Sequence, residues 1–311
     1  MSQALEPTQM AMSYSPAVDP VAQKRPGVEA VIGSSDDERV VAHFDSAALD
    51  WKKIYSRRDV WGIIHQDRLS KTMAWIEALG LAQGARVLDA GCGAGLASLA
   101  MAHRGYQVEA VDAAASMVAL TQQHASQGGL DARISARVAG IYKLPFVQHR
   151  FPLAVSLGVI PWLEDPQEAI TELSRVLQPG GYLLFTADNR RRLAWLLDPF
   201  TSPALRPIKN FVNMILRRSQ TRGWDGICSH QHSIAEIDAF LSHAGMKRVR
   251  FISFGFGPFT FAYRKALPEW LGMQVHNILQ RLADAGFPGI RSVGAQYLIL
   301  AQKNTALNIS K

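Results

Sequence analysis

The chain has 311 residues, of which 48% are hydrophobic and 19% charged, and a net charge of +7. These are the proportions of a packed domain with room for an insertion, not of a disordered polyelectrolyte. No apolar run approaches the roughly 20 residues that cross a bilayer, the start lacks a basic segment followed by an apolar one, and two cysteines, Cys92 and Cys228, exclude a disulfide framework; the expectation is a cytoplasmic protein.

Residues 1–42 carry Pro7, Pro16, Pro20 and Pro26 without apolar periodicity and read as a disordered arm, with order expected from His43. Trp51, Ile54 and Tyr55, then Ile63 and Ile64, then Met73, Trp75, Ile76 and Leu79 predict two or three helices. A strand over Arg86–Asp89 runs into a glycine turn, and Leu96–Ala102 after it has the composition of a helix. Strand Gln107–Asp112, helix Ser116–Ala125 and strands Ala132–Val138 and Leu153–Leu157 follow. Asp165 reads as an N-cap before Pro166, with Glu168 three residues on, opening a helix that runs through Leu177. Pro179-Gly180-Gly181 then turns the chain into a strand over Tyr182–Ala187. Ser233 with Glu236 forms a capping box, and the helix it opens ends near Gly245, before strands Arg248–Phe254 and Gln296–Ala301 and a polar tail, 304–311. Alternation of this kind means a parallel sheet with helices on both faces, an α/β fold.

The positive charge is concentrated. Between Arg190 and Arg222 eight basic residues stand against Asp198 alone, so this stretch carries the whole net charge. It belongs to an insertion, 190–230, placed where the sheet binds ligands. Ile208, Phe211, Val212, Ile215 and Leu216 make one apolar helical stripe flanked by Lys209, Arg217 and Arg218. A lid buried on the core is one reading; the other is a helix that grips an amphipathic substrate or lies peripherally on an anionic membrane. The aromatic, glycine-punctuated stretch Phe254–Phe261 is suited to lining an apolar substrate pocket.

The most informative stretch is Val87-Leu88-Asp89-Ala90-Gly91-Cys92-Gly93-Ala94-Gly95. Three glycines at alternate positions let backbone approach a ligand closely. The spacing is GxGxG rather than the GxGxxG of dinucleotide sites, with Asp89 two positions before the first glycine. A carboxylate there is an awkward neighbour for a phosphate and a good one for an ammonium group.

This motif resembles the first motif of the class I S-adenosylmethionine-dependent methyltransferases, and the resemblance extends over roughly 43–303. It implies a Rossmann-like doubly wound sheet of about seven strands, the last antiparallel, with helices N-terminal to it and a lid insertion. The cofactor it implies is S-adenosyl-L-methionine. Carried across, the loop residues Asp89, Gly91, Cys92, Gly93 and Gly95 wrap the amino-acid end, Asp112 holds the ribose hydroxyls, and Ala113 and Met117 after it are further cofactor-binding candidates. Gly140 and Ile141 reach the adenine, although Gly140 stands where the family usually has an aspartate, and Leu157 closes the fourth strand beside the sulfonium.

Methyl transfer needs alignment and exclusion of water, and a base when the acceptor is a hydroxyl. His230 and His232, where the insertion rejoins the core, and His65, on a preceding helix, are the candidates for that base. Asp188 and Asn189 could orient a substrate, and Trp162 could face the sulfonium. Cys228, His230 and His232 lack a further clustered ligand, so no metal is expected. The functional expectation is methyl transfer to a small-molecule or lipid-linked acceptor, at oxygen. An RNA acceptor drawn by the basic stretch is an alternative without an RNA-binding signature, and binding of cofactor without catalysis is another.

Overall fold

In a computed structural model, which describes residues 35–54, 59–197, 229–261 and 264–305, strand β1 (Arg86–Ala90) lies mid-sheet with Val87 and Leu88 fully buried on opposite faces. Burial on both faces is what an unbroken apolar run requires in a parallel sheet. β1 pairs in parallel with β2 (Gln107–Asp112) on one side and β4 (Phe151–Ser156) on the other, and β3 (Ile134–Val138) pairs with β2. β4 pairs in parallel with β5 (Leu177–Asn189), to which a two-residue β6 (Gln231–His232) adds at one end. β10 (Gln296–Lys303) is antiparallel to both β5 and β7 (Met246–Phe254). The order is β3-β2-β1-β4-β5-β10-β7, with a separate ribbon of β8 (Thr260–Phe261) and β9 (Arg264–Lys265). The chain runs outward from β1 to β3 and then jumps back to β4, so the strand order reverses between β1 and β4. Open α/β sheets bind ligands outside the carboxyl ends of the strands at such a point.

Helices cover both faces. α2 (Val60–Ala78) and α3 (Leu96–His103) pack on the face carrying Val87, Val108 and Val155. α5 (Pro166–Val176) and α7 (Ile234–His243) pack on the face carrying Leu88 and Ala154. α4 (Ala115–Gln127) follows β2, a short α6 (Leu193–Leu197) follows β5, and α8 (Glu269–Asp284) precedes β10. The Asp165 cap and the Ser233–Glu236 capping box are present as expected.

Two expectations change. Order begins before His43: α1 spans Ser35–Ile54. Long-range anchors hold it where local periodicity gave no signal. Asp37 is buried and accepts from the Tyr142 hydroxyl and the Glu164 N–H, while Val41 and Phe44 pack on Ala94 and Met117. The Pro179-Gly180-Gly181 stretch lies inside β5 rather than ahead of it, at a register shift against β4, with Gly180 at φ +77°. The shift lets β5 keep pairing on either side of a residue conformation a regular strand lacks.

The sequence-predicted arm before residue 35, the apolar stripe Ile208–Leu216 and Cys228 lie outside the described residues. Of the basic stretch, Arg190, Arg191 and Arg192 are described; Arg190 pairs with Glu236 and Arg192 with Asp188. Among the described residues no helix is long and apolar enough to cross a membrane.

Candidate active site

The glycine turn is stitched to the end of β2. The Gly91 and Cys92 N–H groups both donate to the Val111 carbonyl, at 2.8 and 2.9 Å, and the Gly93 N–H donates to Asp112 Oδ2 at 2.8 Å. Two glycines are obligatory here. Gly91 (φ +78°) faces Val159 so closely that a methyl group would collide with its side chain, and one on Gly95 (φ +84°) would lie 2.8 Å from Thr121 Oγ1. Thr121 and His124 of α4 hold the loop from below through the Gly93 and Ala94 carbonyls, each at 2.8 Å. Above Gly93 the space is open, with no atom within 4 Å of where a side chain would begin.

Asp112 is half-buried at the end of β2, its Oδ1 accepting from the Ala114 N–H at 2.9 Å, past Ala113. Each of its oxygens keeps a lone pair for a further donor, which is what binding two neighbouring hydroxyls requires. The Ala139 N–H donates to the Asp112 carbonyl, so Gly140 and Ile141, both buried, follow directly beside it. Met117 is buried with Ala94 and Ala114, and Phe44 of α1 packs over that cluster and edge-on against Trp162. Leu157 and Gly158 leave the end of β4, and the Gly158 N–H donates to Thr186 Oγ1 of β5 at 2.7 Å. The structure therefore brings Gly91, Gly93, Gly95, Asp112, Ala113, Met117, Gly140, Ile141 and Leu157 to one edge of the sheet.

The side chains of Asp89 and Cys92 both face inward from the turn. Asp89 is 1% exposed, and its Oδ2 accepts from Ser98 Oγ of α3 at 2.5 Å, so it also fastens that helix to β1. Burial, opposed by the bonds from Ser98 and aided by neighbouring Asp112, pushes its pKa up to about 6. Burial raises Asp112 as well. The Cys92 thiol is turned inward to Thr121, and burial holds it well above the usual thiol range, so only the backbone of Cys92 serves the loop. Two desolvated carboxylates under an open glycine turn leave a negative potential that a cation relieves. S-adenosyl-L-methionine carries an ammonium and a sulfonium, so the donor set fits it: backbone of the turn and the field of Asp89 at the amino-acid end, Asp112 at the ribose.

The three histidines separate. His232, in β6, packs its ring edge-on against Phe240 of α7, 5.6 Å between centroids, and burial lowers its pKa. His230 is exposed, its N–H bonded to the Pro161 carbonyl at 2.6 Å beside the 3-10 turn Ile160–Trp162 that follows β4. His65 of α2 is buried, with Nδ1 2.8 Å from the Trp61 carbonyl. A carbonyl only accepts, so in the neutral ring that bond puts the proton on Nδ1.

Asn189 is fully buried and committed, donating to the Ser292 and Gly294 carbonyls and accepting from the Arg191 N–H and the Tyr297 hydroxyl. Asp188 accepts from Ser229 and Gln296. Both fix the end of β5 instead of presenting free polar groups. Sequence reading missed Ser98, Thr121 and His124, whose signal lies only in the third dimension, and Arg68. That guanidinium is 7% exposed on α2, and its Nη1 would lie 2.9 Å from a methyl group on Gly158. Among the described residues no three His, Cys, Asp or Glu side chains cluster as a metal site would require.

Replacing Asp112 with alanine removes one carboxylate from this arrangement. We expect cofactor affinity to fall by about 1–3 kcal/mol, the worth of charge-assisted hydrogen bonds, read by calorimetric titration; unchanged affinity would remove Asp112 from the site.

Comparison with known proteins agrees with this geometry. A family model described as a methyltransferase domain matches residues 88–185. The chain is 31% identical over 160 residues to the ubiquinone biosynthesis O-methyltransferase of Coxiella burnetii, a match covering 51% of this chain and 66% of that protein. It is 31% identical over 166 residues to the protein of the same description from Azotobacter vinelandii, covering 53% and 68%. Among solved structures, magnesium protoporphyrin IX methyltransferase from Synechocystis PCC 6803 superposes with a TM-score of 0.58 at 18% identity, over 85% of this chain and 98% of that one. The cyclase SpnF does so with a TM-score of 0.57 at 19% identity, over 88% and 98%. With the glycine turn, the acid closing β2 and the strand order all in place, the chain belongs to the class I S-adenosylmethionine-dependent methyltransferases.

Proposed function

We propose that the chain transfers the methyl group of S-adenosyl-L-methionine to a hydroxyl of a small-molecule or lipid-linked acceptor, in the cytoplasm and with peripheral access to an anionic membrane. The observation that carries this reading is the pair of desolvated carboxylates, Asp89 and Asp112, beneath the open turn at Gly93. A cation bound there is stabilised by both. The bound cofactor supplies an electrophilic methyl group; the chain aligns the acceptor, excludes water and takes up a proton. Relatives described as O-methyltransferases support oxygen as the acceptor atom. The fold alone would not, since a cyclase shares it.

His65 is the base we favour, because it is buried on α2, the helix whose Arg68 reaches the end of β4, and its Nδ1 lies 2.8 Å from the Trp61 carbonyl. Ionisation of a phenolic or alcoholic group in the transition state then needs a neutral imidazole, so kcat/KM should rise with pH to a plateau. His65→Ala is expected to lower kcat about 100-fold or more and to abolish that rise, with affinity for S-adenosylhomocysteine intact. A variant that retains the wild-type pH profile would rule His65 out.

Assay of a panel of catechols and phenols with labelled S-adenosyl-L-methionine tests the reaction itself. Methyl ethers are the expected products; transfer to RNA in the same assay, or cofactor binding with no transfer to any acceptor class, would overturn the proposal.

A further inference from the structure

α8 is built inside out. Its buried positions, Gly272, His276, Gln280 and Ala283, include two polar side chains that hold the loop leaving β7. Gln280 Oε1 accepts from the Gly255 N–H at 3.1 Å, and His276 Nδ1 lies within 3.1 Å of both the nitrogen and the oxygen of Phe256. At about 3.6 residues per turn, Trp270, Gln274, Ile278, Arg281 and Leu282 share the opposite side, and all five are exposed. Trp270 is 60% and Ile278 57% exposed. A surface helix ordinarily turns its apolar stripe to the core and its charge to water. Single apolar residues on a surface need no explanation, but a row of them on one helix marks a contact surface.

The charges around this face have one sign to spare. Glu269 pairs with Lys265 at 2.9 Å, and Asp284 pairs with Lys71. Arg281 and, in the β8–β9 ribbon, the exposed Arg264 pair with no carboxylate among the described residues. An apolar face edged by unpaired cations is complementary to anionic headgroups over an acyl layer. Two copies packed on each other through it would put both sets of cations into one interface with no carboxylate to answer them.

The face leads to the site. β7 ends at Phe254, level with Gln296 and so with Asp188 at the end of β5, which is the carboxyl edge. From there the loop climbs α8 toward its start, Gly255 meeting Gln280, Phe256 meeting His276, and Phe259 lying 3.8 Å from a methyl group on Gly272. The first turns of α8 therefore stand beyond the strand ends, and the ten residues from Gln280 back to Trp270 rise about 15 Å. There the Val60 N–H of α2 donates to Glu269 Oε1 at 3.0 Å, next to the exposed Trp61.

Resting on the membrane access proposed above, we propose that the outward face of α8, with Trp61 and Arg264 beside its first turn, is the surface that lies on an anionic bilayer. Trp270, Ile278 and Leu282 enter the headgroup layer, and Arg281 and Arg264 meet lipid phosphates. Tryptophan suits that depth, with an apolar ring and one N–H for water or headgroup. A lipid-linked acceptor then reaches the carboxyl edge directly from the bilayer.

The test is flotation of the full chain with vesicles of phosphatidylcholine and phosphatidylglycerol in equal parts, and with vesicles of phosphatidylcholine alone. The wild-type protein should bind the anionic vesicles about tenfold or more tightly than the neutral ones. Trp270→Ser combined with Ile278→Ser should weaken that binding about tenfold or more. Arg281→Gln, an independent change at an exposed position, should weaken it about fivefold and leave neutral vesicles unaffected. S-adenosylhomocysteine affinity should stay at the wild-type value in both variants. Wild-type flotation of both variants would overturn the α8 surface while leaving membrane access to another part of the chain. Absence of flotation by the wild-type protein would overturn membrane access and the surface together. A wild-type dimer in light scattering that Trp270→Ser with Ile278→Ser dissociates would assign the face to a second copy and likewise overturn the proposal.

Discussion

Gly91→Ala should destabilise the protein by about 2–5 kcal/mol, the sum of roughly 1–2 for an alanine held in the left-handed region and roughly 1–3 for forcing a methyl group into a packed neighbour. The neighbour is Val159, on the segment after β4, so the damage spreads from the turn to the opposite side of the strand reversal. Gly93→Ala is the informative control. It has φ +54° and open space above it, so it should lose about 1–2 kcal/mol of stability, but its methyl group enters the region the cofactor must cross. Urea denaturation and calorimetric titration separate the two: Gly91→Ala should mainly lose stability, and Gly93→Ala mainly cofactor affinity. Equal losses in both measurements would contradict the assignment of packing to one glycine and ligand approach to the other.

The second large effect is pH linkage at Asp89. Its pKa in the folded protein is about 6 against 3.8 for an aspartate in the unfolded chain, so between those values the folded state holds more protons than the unfolded one. Stability from this group is therefore fully present below the unfolded pKa and is lost as pH rises through about 6. The change is about 3 kcal/mol at 1.36 kcal/mol per pKa unit. The sign for a cationic ligand is opposite. Binding favours the ionised carboxylate, so cofactor affinity should fall by up to tenfold per pH unit below about 6, with uptake of cofactor releasing protons. Asp89→Asn keeps an acceptor for Ser98 and removes the titration. It should flatten both dependences in this window, measured as the difference between variant and wild type in denaturation and in calorimetry from pH 4 to 7.

The parts of this molecule that sequence made legible are those whose signal is local. The run Val87–Gly95 combines an apolar strand, three glycines and a carboxylate within a few residues, and β2 coincides with the predicted Gln107–Asp112. The caps at Asp165 and Ser233 depend on residues three positions apart and were equally readable. What sequence did not show is long-range. α1 has too little apolar periodicity to announce itself and is held by Asp37 on Tyr142 and Glu164, more than a hundred residues away. Asp89 looked like a ligand for an ammonium group, and only the fold reveals Ser98 opposite it. Asn189 had the right chemistry at the right strand end, but four hydrogen bonds engage it in structure. Arg68, unremarkable on a helix, is brought by that helix to the end of β4.

The carboxyl edge around Gly91–Gly95 and Asp112 is proposed to bind a cationic methyl donor. Calorimetric titration of the full chain with S-adenosyl-L-methionine at pH 5 and pH 7, in buffers of different ionisation enthalpy, tests it most directly. Saturable 1:1 binding is expected, tighter at pH 7, with net proton release at pH 5 that is reduced in Asp89→Asn. Absence of binding at high micromolar cofactor, or binding without any proton linkage, would contradict it.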